Sequence, residues 1–191
     1  MAERSTVDLA SALAAAGESD DDLAALARRV AEEYGTARLR EAAELLFEAG
    51  EGKESGVVSP SAAALFRIRR MLRRDDILSV LYEAELGGRG LEVDTLDERG
   101  AAIAEAVWAE RADLDRAVGE VAARWRVERM AVVDRNVLRL GLWELRHRPD
   151  LSTAVILSEA IRLAKGYSTG QSGSFVNGIL GNLAAGERGG V

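Results

Sequence analysis

Apolar residues recur at helical spacing along most of the chain. Leu23, Leu26 and Val30 follow i, i+3, i+7, and Leu39, Ala43 and Leu46 repeat the pattern, which predicts a small helical hairpin. Ser19-Asp20-Asp21-Asp22 supplies capping side chains and negative charge at its start, and Gly50 suits a helix stop. The run Gly50 to Gly56 is rich in Gly and polar residues and predicts a flexible linker. A boundary there divides a helical extension with its linker, 1–56, from a main domain, 57–187. Beyond Pro60-Ser61 a helix is expected, with Ile77, Leu78, Leu81 and Tyr82 on one side, ending in a loop at Gly87-Gly88-Arg89-Gly90. Ile103, Val107, Trp108, Leu114, Val118 and Val121 predict one long amphipathic helix. Val132 to Leu145 is apolar nearly all round, the pattern of a buried central helix, and His147-Arg148-Pro149 ends it. From Ser152 to Lys165 the pattern buries Val155, Ile156, Leu157 and Ile161 and leaves Ser158, Glu159 and Arg162 on a narrow polar side. A polar loop from Gly166 to Gly173 leads to a last helix with Phe175, Val176, Ile179, Leu180 and Leu183, after which residues 186–190 are expected to fray.

Composition agrees with this pattern. Ala and Leu dominate the apolar residues, and there are only 2 prolines, so several unbroken helices fit and the fold class is all-α. With 0 cysteines, disulfides, thiolate metal sites and a cysteine nucleophile are excluded. The N-terminus lacks the pattern of a signal peptide and no apolar run reaches membrane-spanning length, so a cytoplasmic protein is expected.

Charge changes the picture more. The net charge is −7, and residues 1–66, with 13 acidic and 6 basic side chains, carry all of it. The remainder is balanced and has room for a local basic patch. Arg67, Arg69, Arg70, Arg73 and Arg74 provide such a patch, with no acidic residue between Gly56 and Arg74. On an unbroken helix Arg70 and Arg74 share a side with Ile77 and Leu81, so the cluster is expected to project past the core as an exposed arm. Guanidinium is planar and permanently charged, which suits phosphate; a solvated helix end is the plainer reading of the same residues.

Three blocks in the C-terminal half carry a family likeness. Asp134 to Leu145 (DRNVLRLGLWEL), Ser158 to Lys165 (SEAIRLAK) and Phe175 to Leu180 (FVNGIL) resemble successive signatures of the NusB family, and the arginine arm leading into Leu81-Tyr82-Glu83 is similar to the family's first helix. Together they span roughly residues 67–185. The resemblance implies a NusB-like bundle of two packed sub-bundles, here preceded by a helical extension. It also implies transcription antitermination, in which NusB pairs with the ribosomal protein NusE on single-stranded boxA RNA within the elongation complex. Departures occur: Gln171, Gly173 and Ser174 stand where members often have an acidic residue and a His-Lys pair, the proline-containing turn is replaced by Leu151 to Ala154, and the short connection after Leu86 leaves no counterpart for the family's second helix.

The resemblance makes Arg67, Arg69, Arg70, Arg73, Arg74, Gln171 and Phe175 the RNA-binding candidates and Asp134 the residue facing NusE. Each has a plainer alternative: Phe175 as a core anchor, Asp134 as a first-turn carboxylate stabilised by the helix dipole. Glu159, with Arg162 one turn on, reads as structural, and His147, the only histidine, as a helix-terminal cation. No cofactor or metal is expected, and no convergent acid–base or nucleophile set marks an enzyme. Two other readings stay open: a protein-binding adaptor that keeps the bundle without specific RNA binding, and the NusB-like domain of RNA methyltransferases, which the lack of a methyltransferase domain disfavours.

Overall fold

Ser5 accepts from the amide of Asp8 while the Asp8 carboxylate accepts from the amide of Ser5, and this reciprocal box starts α1, Thr6–Ala16. In the computed structural model, which describes residues 5–57, 59–88, 90–122 and 125–189, α1 is followed by α2 (Asp20–Tyr34) and α3 (Thr36–Gly50). The expected hairpin is α2 and α3. The additional helix α1 is rich in Ala and buries only Leu9, Ala10 and Leu13, too short an apolar stripe to stand out in the pattern. Between α2 and α3, Gly35 alone forms the turn at φ +87°, a conformation that β-carbon sterics deny other residues.

Ser61 accepts from the amide of Ala64 and opens α4, Ala62–Gly87. This helix serves two cores. Ile68, Met71 and Leu72 pack with Leu9, Leu13, Leu23, Val30, Leu39 and Leu46, whereas Ile77, Leu78 and Leu81 belong to the second core. The chain accordingly divides into two compact units between Leu72 and Arg73, not at the linker expected near residue 56. The reason is continuity of the helix: the first turns of α4 have an apolar stripe that α1–α3 cover. Val58 and Arg89 lie outside the described residues.

The second unit continues with α5 (Glu98–Ala109), α6 (Arg111–Val121), a 3-10 turn at Val127–Arg129, α7 (Val132–His147), α8 (Thr153–Tyr167) and α9 (Ser172–Arg188). The single long helix expected over the α5–α6 segment is broken at Glu110, whose ψ of 0° leaves the helical range. The central α7 packs on α6, α8 and α9. A β-carbon on Gly141 would meet Leu180 at 2.7 Å, so this glycine permits the close approach of α7 to α9. α9 runs to Arg188, where fraying was expected, because that guanidinium donates to the carbonyls of Glu144, Leu145, Arg148 and Leu151. Among the described residues every regular element is helical, and no helix is long and apolar enough to cross a membrane.

Candidate nucleic-acid interface

Only Ser168 to Gln171 separate α8 from α9, a shorter loop than the sequence suggests. Ser172 ties it down: its hydroxyl donates to Asp134 Oδ2 at 2.9 Å and accepts from the amide of Thr169 at 3.2 Å. Phe175, half-buried one turn into α9, meets the ring of Trp125 edge-on at 5.6 Å between centroids. Trp125 is 61% exposed. With Arg129, Met130, Gln171 and Ser174 these two aromatics line an open groove over the start of α7. A groove of this kind offers a flat apolar face to an unstacked base and a cation to its phosphate.

Asp134 does not face outward. It is 7% exposed, and Oδ1 is buried without a hydrogen-bond partner beneath the groove. Its position in the first turn of α7 leaves it pointing at the α8–α9 loop, so it holds that loop instead of presenting a charge to a partner.

The arginines do not form a free arm. Arg67 and Arg70 both contact Asp20 Oδ1, at 2.9 and 2.5 Å, and Arg69 lies 5.1 Å from the centre of the Phe47 ring. In the second unit Arg73 donates to both oxygens of Asp97, the N-cap of α5, whose carboxyl is held below its ordinary range first by Arg73 and also by the amide of Gly100. Arg74 is 4% exposed and grips Glu144 at 3.0 Å. The expectation of an exposed cluster is thus corrected: α1–α3 and α5 supply acids and surface that meet α4, and the helix itself turns Arg74 inward.

Arg74 belongs to a buried ionic network joining α4, α7 and α8. Arg162, fully buried, donates to Asp75 at 2.9 and 2.5 Å and to Glu159 at 3.2 Å, and Tyr167 donates to Asp75 at 2.8 Å. Burial opposes the charge on Arg162, but Asp75 and Glu159 outweigh it and raise its pKa. Glu159 and Arg162 on the polar side of α8 therefore face in; Val155 and Ile156 are buried as expected, whereas Leu157 and Ile161 are only partly buried. A second network links Glu85 to Arg135, Asn136 and Arg139, with Arg139 also on Asp115. Most polar residues of the DRNVLRLGLWEL and SEAIRLAK blocks are thus internal ties. His147, in the last turn of α7, contacts Glu110 at 3.1 Å and packs against Trp143.

Sequence reasoning missed Trp125, and also an exposed apolar face of α4 where Tyr82 and Leu86, 38% and 59% exposed, border a groove with Val80 and Glu83. Tyr82 was placed on the inner side; it sits one position past the Ile77–Leu81 stripe.

Comparison with known proteins identifies the family of the second unit. The NusB family model matches residues 72–185, almost the whole second unit. The transcription antitermination protein NusB of Sorangium cellulosum is 43% identical over 127 residues, covering 60% of this chain and 91% of the relative. That of Acidothermus cellulolyticus is 38% identical over 128 residues, covering 62% and 88%. The solved structure of T. maritima NusB superposes with a TM-score of 0.53 at 31% identity over 60% of this chain and 89% of that one. With the family model spanning more than half of its length, the chain belongs to the NusB family of transcription antitermination proteins.

Proposed function

We propose that this chain works in antitermination by binding single-stranded, boxA-like RNA together with the ribosomal protein NusE, in the cytoplasm and as part of the elongation complex, without catalysing a reaction. The carrying observation is the groove at the start of α9, where exposed Trp125 and half-buried Phe175 sit beside Arg129 and Gln171. Arg67, Arg69, Arg70 and Arg73 provide phosphate contacts along α4. Arg74 has a structural role through Glu144, and Asp134 acts by fixing the α8–α9 loop. The exposed Tyr82–Leu86 face of α4 is the surface we assign to NusE, because apolar side chains bordering a groove are typical of protein contacts.

One observation favours the adaptor reading: Arg67, Arg70 and Arg73 already face carboxylates. A binding titration on boxA-like RNA against a scrambled control, with and without NusE, decides between them. RNA binding predicts a preference for boxA that NusE strengthens, and a loss of about 5- to 140-fold for Phe175→Ala if a base stacks there. Capture of NusE with no RNA retained supports the adaptor.

A further inference from the structure

Phe66 belongs to neither core, although Ile68, Met71 and Leu72 on the same turns of α4 are buried. It is 53% exposed, and the Arg70 guanidinium lies 5.9 Å from its ring centre. Arg69, three residues on, is exposed over Phe47. At positions i, i+3 and i+4 these side chains share one face of the helix. Arg67 and Arg70 converge on a single carboxylate oxygen of Asp20, so two guanidiniums of this stretch already face an anionic oxygen. The ring is thus an apolar plate set among guanidiniums on a face that neither core needs.

We propose that Phe66 is a base-stacking residue: one nucleobase of a single-stranded RNA lies on its exposed ring while Arg69 and Arg70 hold the adjoining phosphates. This rests on the RNA-binding reading and adds to the Phe175 groove a second platform, carried by the first unit. Stacking on an aromatic face is tolerant of base identity, so the site strengthens binding without setting sequence preference.

The test uses the full chain and a fluorescein-labelled single-stranded RNA, titrated at several salt concentrations, with Phe66→Ala, Phe66→Leu and Phe66→Trp variants. The expected result is about 5- to 140-fold weaker binding for Phe66→Ala, comparable loss for Phe66→Leu, retention in Phe66→Trp, and an unchanged salt slope because no phosphate contact is removed. Thermal unfolding of all three should match the parent, since the side chain lies outside both cores. Equal affinity of Phe66→Ala and the parent overturns the proposal while leaving RNA binding in place. Full rescue by Phe66→Leu overturns it also, because an apolar contact, not stacking, is then the cause. A parent chain that binds no RNA removes the reading on which the proposal stands.

Discussion

At the scale of single residues, many charges inside the second unit tie helices together. Arg162 is the clearest case, fully buried between Asp75 and Glu159. Substituting it with Leu leaves two carboxylates buried near each other, and the expected cost is about 3–5 kcal/mol by urea unfolding, because uncompensated buried charge is expensive. Arg162→Lys should recover only part of this, since a point charge cannot donate in parallel to both oxygens of Asp75. Asp97 makes a milder test, being half exposed. Its carboxyl, lowered chiefly by Arg73, stabilises the fold fully above the ordinary Asp range of about 3.9, and the contribution is lost as pH falls below it through the lowered native value. Asp97→Asn keeps the α5 cap but removes the titration, so the stability difference between the two proteins should shrink between about pH 5 and pH 2. A difference that stays constant over that range would show that Arg73 and Asp97 are not coupled. The sequence announced that Glu159 and Arg162 pair, yet a 3.6-residue period marks only that polar residues share a side. Which way that side points depends on Asp75 of α4, 87 residues away in the chain.

Among elements, the helices themselves were largely legible because their apolar spacing is local, and α2, α3, α7, α8 and α9 lie close to where the pattern put them. Errors fell at ends and breaks. Glu110 interrupts α5–α6 without a glycine or proline to mark it, and α1 hides in an alanine run. The C-terminal end of α9 shows why termini escape local reading: Gly186-Glu187-Arg188-Gly189 resembles a frayed tail, and only tertiary structure gives Arg188 its acceptors. The carbonyls of Glu144 and Arg148 also accept from the amides of Arg148 and Leu151, but Leu145, in the last turn of α7, meets Pro149 four residues on and has no amide there to accept from. Arg188→Ala should therefore cost about 1–3 kcal/mol, measured by denaturant unfolding, because it leaves the partly buried Leu145 carbonyl without its guanidinium donor. Loss within error of zero would mean that water replaces the guanidinium freely. The groove residues illustrate the same limit. Phe175 and Gln171 were visible within a motif, but Trp125 reaches them only through the fold, and no local period points to it.

For the whole molecule the open matter is what residues 1–55 contribute, their acidity or their apolar surface. Acidity would favour competition with RNA for the arginines, and Asp20 does sit on Arg67 and Arg70. Both pairs are partly solvated, however, and such pairs are worth about 0–1 kcal/mol. Against this stands burial of Leu9, Leu13, Leu23, Leu39 and Leu46 with Ile68, Met71 and Leu72, each large side chain worth about 1.5–3 kcal/mol. The apolar term is larger, so α1–α3 are principally the cover of the first turns of α4. Deleting residues 1–55 should accordingly expose Ile68, Met71 and Leu72, raise binding of a hydrophobic dye, and lose more helix by circular dichroism than the deleted residues account for, because α4 unwinds toward Arg73. The core around Leu138 and Leu142 should still melt cooperatively, since it shares no buried residue with the first. RNA affinity should not rise, even at low salt where acidic competition would be strongest. A truncated protein with α4 intact, no added dye binding and tighter RNA binding at low salt would reverse this ordering and make the extension an electrostatic inhibitor.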